Sequence, residues 1–161
     1  MSDLIKDPDS KTDNTPKIMS LKRGETAIDT LYVGLQNRTL AAPGETEPKG
    51  FVYTITKDQV QIFGAPFITL EVGKTYRFII DTPGHPFYIT DDVAGGGVMS
   101  KPMMSMIGAI TIEPECTGDK GNVGIEKGIL TWTPDSLHSQ MTLYYQCNFH
   151  KYMGNRIYVN M

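Results

Sequence analysis

The 161-residue chain is poor in cysteine and histidine, with two of the first and three of the second. Two cysteines, Cys116 and Cys147, exclude a disulfide-rich scaffold but allow one bridge or one metal-binding thiolate. Fifteen Lys and Arg against eighteen Asp and Glu give a net charge of -3, which argues against a nucleic-acid-binding protein. No apolar segment reaches the ~20 residues that a membrane-spanning helix needs.

The N-terminus lacks the apolar segment of a secretory signal peptide. Residues 1–14 are polar and charged, and residues 1–18 show neither helical nor strand periodicity. We therefore predict a flexible tail at residues 1–18, followed by a single domain at residues 19–161 that is long enough to bury a core. The expected location is inside a cell or particle, unless a signal was already removed from an exported protein.

The rest of the chain has the pattern of short strands separated by turns, for which 16 glycines and 10 prolines provide the residues. Tyr76, Phe78 and Ile80 alternate along one predicted strand and share one face. Turns at residues 57–58 and 73–74 are predicted to close hairpins. Because no amphipathic helix of ~12 residues is found, we predict an all-β sandwich or barrel of about eight or nine strands.

The C-terminal segment carries the pattern C-x2-H-x2-M, formed by Cys147, His150 and Met153. On the strand before it, Leu143, Tyr145 and Cys147 share a face by period two, so Cys147 is predicted to point into the core at the strand end. A tight loop then returns through His150 and Met153 into the last strand. A thiolate, an imidazole and a thioether on one short loop form a soft donor set that suits copper.

A further strong ligand must come from one of the two remaining histidines. His138 lies in a polar turn, whereas His85 lies between a loop and an apolar strand, where the fixed φ of Pro86 restrains the backbone. His85 is therefore the better candidate.

These residues resemble the cupredoxin, or type 1 blue-copper, family, in which an early histidine precedes a Cys-His-Met loop between the last two strands. The short spacing before Met153 is similar to that of amicyanin. Residues 84–90, 128–135 and 144–147 also resemble the cupredoxin-like domain at the end of the animal protein Skeletor. The resemblance covers about residues 50–160 and implies a Greek-key β-sandwich that binds one copper ion. It implies His85, Cys147 and His150 as strong ligands and Met153 as the axial one.

The function implied is a mononuclear copper protein that carries single electrons to a partner protein, which the sequence does not identify. We expect no enzymatic activity, because three histidines cannot form a trinuclear centre and Met153 closes the remaining position. One alternative is a non-redox structural or binding module that is part of a larger assembly. Another is a copper chaperone or storage protein that also uses the methionine cluster at Met99, Met103, Met104 and Met106.

Plainer interpretations of the same residues stay open. The sandwich could retain the four predicted ligands without using a metal. A Cys116–Cys147 disulfide would consume the thiolate. The methionine cluster is typical of side chains that fill irregular gaps in a core.

Overall fold

The computed structural model describes residues 28–97, 110–113 and 124–161. The tail predicted at residues 1–18, the methionine cluster at residues 99–106 and Cys116 lie outside the described residues. The described part contains one 3-10 turn, His138–Gln140, and no helix long and apolar enough to cross a membrane.

The fold is all-β, as predicted. The described part contains ten strands, against the eight or nine predicted. Their bounds are β1 Ile28–Asn37, β2 Phe51–Lys57, β3 Val60–Ile62, β4 Ile68–Glu71, β5 Thr75–Asp81, β6 Phe87–Thr90, β7 Ile110–Glu113, β8 Lys127–Trp132, β9 Leu143–Cys147 and β10 Asn155–Asn160.

The strands form two sheets that pack as a sandwich. One sheet has the order β3-β2-β1-β5-β8-β7, and the other has the order β4-β10-β9-β6. Most neighbours are antiparallel, but β1 pairs with β5 and β10 pairs with β4 in parallel. Both parallel pairs join strands distant in sequence, since a parallel neighbour cannot be reached through a tight turn.

The core forms where the period-two faces of the strands meet. On β5 the predicted face of Tyr76, Phe78 and Ile80 is buried, while Arg77 between them stays partly exposed. Trp132 on β8 is fully buried in the same core. Removing each such side chain from water contributes roughly 1.5–3 kcal/mol before entropy is subtracted, so the core supplies the main driving force for the sandwich.

Two predicted turns differ from the structure. The β2–β3 hairpin turns at Asp58 and Gln59, one residue later than predicted, because both adopt the positive φ that a two-residue hairpin turn requires. The turn at residues 73–74 does not close a hairpin, since β4 and β5 belong to different sheets. The amide of Gly73 bonds to the carbonyl of Pro134 instead, so this turn carries the chain across the sandwich.

Several loops gather at one end of the sandwich. Backbone hydrogen bonds join the loop at residues 82–86 to residue 148, and the loop at residues 91–97 to residues 147 and 152. Residues 38–50, which connect β1 and β2, close on themselves through the bond from the Arg38 amide to the Gly50 carbonyl. All predicted ligand residues lie in or beside these loops.

Candidate metal centre

Cys147 is the last residue of β9 and lies on the predicted inward face. Leu143, Tyr145 and Cys147 are all fully buried, as the alternation predicted. Cys147 pairs with Phe87 at the start of β6, and its carbonyl accepts a hydrogen bond from the amide of Gly96. The sulfur is therefore positioned by a strand on one side and a loop on the other. Cys147 is a free thiol.

His85 is held in a turn just before β6. Its amide bonds to the Thr82 carbonyl, and its own carbonyl accepts hydrogen bonds from the hydroxyls of Thr82 and Tyr53, each at 2.9 Å. The next residue, Pro86, is buried, and its carbonyl accepts a hydrogen bond from the Asn148 amide. The residue after His85 is thus hydrogen-bonded to the loop after Cys147, which the sequence did not indicate.

The structure brings three of the predicted ligands together. The Sγ atom of Cys147 lies 3.9 Å from Nδ1 of His85 and 3.7 Å from Nδ1 of His150. The three donor atoms all lie within 4.8 Å of one another. Bonds of about 2.0–2.1 Å to nitrogen and about 2.3 Å to sulfur, arranged trigonally, would put sulfur and nitrogen about 3.8 Å apart. The observed spacings therefore fit one metal ion held by all three residues.

Met153 lies next to this group. Its side chain is almost fully buried, belongs to the hydrophobic core and borders the same groove as His85 and His150. Its carbonyl accepts a hydrogen bond from the Tyr53 amide at 2.9 Å, and the preceding Tyr152 has a positive φ of 61°. The loop thus turns sharply and places the thioether inside rather than in solvent.

The ligand loop, residues 148–153, is held from outside by Arg38. Its guanidinium donates to the carbonyl of Lys151 at 3.2 Å and to that of Tyr152, two residues that lie between His150 and Met153. Arg38 is partly buried, and this burial lowers the pKa of its guanidinium. The sequence around Arg38 carried no signal for this contact.

Gln146 holds the two ends of the ligand loop together. Its Oε1 accepts from the Gly154 amide at 2.9 Å, and its Nε2 donates to the Val93 carbonyl at 2.8 Å. The side chain is buried although it lies on the opposite face of β9 from Cys147, because the loop at residues 91–97 covers that face. Period-two patterning placed Gln146 on the outer face but could not show that a loop covers it.

The electrostatics favour the neutral forms of the ligands. Burial raises the pKa of the Cys147 thiol, and hydrogen bonds from the amides of Phe149 and His150 oppose that rise. The Phe149 amide lies 3.3 Å from the sulfur. Burial and the neighbouring His150 lower the pKa of His85, so its imidazole is in the neutral form that binds metals.

His138 lies elsewhere, as its polar turn predicted. It is buried in the 3-10 turn, packs edge-on against Trp132 with ring centres 5.3 Å apart, and accepts a hydrogen bond from the Asp135 amide at Nδ1. Within residues 28–97, 110–113 and 124–161, the clustered metal-binding side chains are those of His85, Cys147 and His150.

Comparison with known proteins finds a matching domain family and similar segments in two longer proteins. A family model of the At5g54830-like domain matches residues 28–160. Isoforms B/C and D/E of Protein Skeletor from Drosophila melanogaster are each 28% identical to the chain over 140 residues. The alignment covers 59% of this chain but 18% of the B/C protein and 9% of the D/E protein, so the similarity is to one part of much longer proteins. Because the family model matches residues 28–160, which is most of the chain, the chain belongs to the At5g54830-like domain family.

Proposed function

We propose that this domain is a mononuclear type 1 copper-binding protein that carries single electrons. The observation that carries the proposal is the spacing of the Cys147 sulfur from the two imidazole nitrogens, 3.9 Å and 3.7 Å. Two imidazoles and one thiolate in a trigonal set, with a thioether near them, form the donor set of blue-copper sites.

The donor types favour copper over zinc. Structural zinc sites use four strong nitrogen, sulfur or oxygen ligands, whereas the fourth sulfur here belongs to Met153, a weak and soft donor. His85, Cys147 and His150 would hold the ion, and Met153 would be its axial ligand. Copper, when bound, supplies reversible one-electron chemistry.

The chain's own residues support this role by keeping the ligands in place. The Phe149 amide donates toward the Cys147 sulfur, a contact that would withdraw charge from the thiolate. Arg38 and Gln146 fasten the ligand loop on two sides. Ligands fixed in this way need to move little when the charge of the ion changes, which favours fast electron transfer.

Kinship with cupredoxins is part of the same proposal. It is supported by the Cys-His-Met loop between β9 and β10, by the histidine before β6 and by the two-sheet architecture. We include the Greek-key topology in this proposal, and we include the absence of catalysis because Met153, buried and bordering the same groove as the two imidazoles, would close the remaining position of the ion.

The route for electrons would be His150. Its side chain is exposed, and the neighbouring Phe149 side chain is 57% exposed, so the loop presents an apolar contact surface to a partner protein. The exposed Lys151 beside them favours an acidic partner.

The test is a metal and spectral assay on freshly purified protein. We expect one copper per chain and an intense visible band from thiolate-to-Cu(II) charge transfer. Cys147→Ala should abolish the band, while Cys116→Ala, the matched control, should retain it. Colourless protein that takes up no stoichiometric copper contradicts the proposal and favours a structural or binding module. Tight Cu(I) binding without retention of Cu(II) favours a chaperone or storage protein instead.

A further inference from the structure

A groove of about 510 Å³ lies directly over the ligand imidazoles. One wall is the β1–β2 connection, represented by Pro43 and Phe51, and the other is the ligand loop at Lys151 and Tyr152. The rings of His85 and His150 border it, with ring centres 4.8 Å apart. This volume is in the range of small-molecule sites, which are mostly apolar clefts with a few polar groups that orient the ligand.

The charged residues of the groove are mainly cationic. Arg38, Lys49 and Lys151 border it, together with a single carboxylate, Glu45. In the part of the chain that the structure describes, neither lysine forms an ion pair, in contrast to Lys74, which pairs with Asp29. The guanidinium of Arg38 already donates to the ligand loop, so the two lysines are the groups left to contact a ligand.

We propose that this groove binds a small aromatic carboxylate. The ring would lie against Phe51 and Pro43, and the carboxylate would lie toward Lys49 and Lys151. Charge complementarity supports an anion, since three cations and one carboxylate leave a positive surplus in a confined cleft. The apolar walls support an aromatic body rather than a bare inorganic anion.

The groove is made of protein side chains, so the proposal can be tested without copper. Metal-free, ¹⁵N-labelled full-length protein is titrated with 2-naphthoate and, in parallel, with the neutral isostere 2-naphthamide. We expect saturable amide shifts at Gly50, Phe51 and Tyr152 with a Kd below about 1 mM for naphthoate. The amide should bind at least about fivefold more weakly, because it lacks the charge.

Variants that remove one lysine charge test whether Lys49 and Lys151 contact the carboxylate of the ligand. Lys49→Gln and Lys151→Gln should each weaken naphthoate binding by about three- to fivefold and leave naphthamide binding unchanged. Lys74→Gln is the matched control, because β5 separates it from the site end of the sandwich, and it should change neither affinity.

Three outcomes overturn the proposal. These are no saturable shift, equal affinity for naphthoate and naphthamide, and insensitivity to both groove lysines. Equal affinities would show an apolar surface without preference for an anion. Copper uptake is measured on the same preparation, so a failure of the groove proposal with intact copper binding is distinct from a failure of the metal proposal.

Discussion

Replacing Gly154 with alanine tests how closely the end of the ligand loop packs against β9. An added Cβ would lie 1.7 Å from the carbonyl oxygen of Tyr145 and 2.6 Å from its carbonyl carbon. Since non-bonded heavy atoms are normally about 3.5 Å apart or more, the two backbones would have to separate by roughly 1.5–2 Å. That shift would break the hydrogen bond from the Gly154 amide to Gln146 and disturb the pairing of Asn155 with Tyr145.

The expected cost combines steric and hydrogen-bond terms. Overpacking contributes about 1–3 kcal/mol and the lost buried hydrogen bond about 1 kcal/mol, so Gly154→Ala should lower the free energy of unfolding by about 2–4 kcal/mol. Urea unfolding of the metal-free protein measures this difference. Gly44→Ala is the control, because Gly44 has a positive φ of 87° but no atom within 4 Å of an added Cβ. It should cost about 1 kcal/mol.

If Gly154→Ala lowers the free energy of unfolding no more than Gly44→Ala does, within experimental error, the close packing of the loop on β9 is refuted. The same variant should also weaken copper uptake, because His150 and Met153 lie on the displaced segment. Normal uptake combined with strong destabilisation would show that the loop moves as a unit and keeps its ligand spacing.

Three further predictions concern groups around the site and at the far end of the sandwich. Arg38→Ala should lower the free energy of unfolding by about 1–2 kcal/mol and speed amide exchange in the ligand loop, whereas Arg77→Ala should leave that exchange unchanged. Tyr53→Phe removes the hydroxyl that donates to the His85 carbonyl and also contacts the Cys147 sulfur, and should cost about 1–2 kcal/mol in urea unfolding; a loss above about 3 kcal/mol would contradict a role limited to these hydrogen bonds. Burial raises the pKa of Asp29, but hydrogen bonds and charges of Lys74 and Lys57 outweigh it and leave that pKa lowered. Its contribution to stability is therefore present above about pH 4 and lost as pH falls through the lower folded pKa, so Asp29→Asn should flatten the acid limb of the stability curve.

The strand pattern and the clustering of His85, Cys147 and His150 could be predicted from the sequence. Alternation along β9 gave the inward face of Cys147, and the C-x2-H spacing placed His150 within reach of it. His85 was chosen over His138 because it precedes an apolar strand, and the structure brings it to 3.9 Å from the sulfur. The face of Cys147 and the position of His150 follow from local periodicity and short spacing, whereas the choice of His85, 62 residues before Cys147, used its place beside an apolar strand.

The contacts that hold the site in place could not be predicted. Arg38 donates hydrogen bonds to Lys151 and Tyr152, which lie 113 and 114 positions later in the chain. Nothing near Arg38 in the sequence indicates these partners. Gly73 failed as a hairpin turn because turn composition does not show whether the next strand stays in the same sheet. The contacts of Arg38 and the course of the chain after Gly73 depend on how the two sheets are stacked, which is a property of the whole chain.

The pairing of Phe87 with Cys147 has a consequence for folding specificity. β6 begins two residues after His85, so this register sets the separation between the imidazole and the sulfur. A slip of one residue would turn the sulfur to the opposite side of the sheet, and a slip of two would carry it about 6–7 Å along the strand. An ion bound by both the imidazole and the sulfur would thus stabilise this register of β6 and β9 and would not stabilise a register shifted by one or two residues.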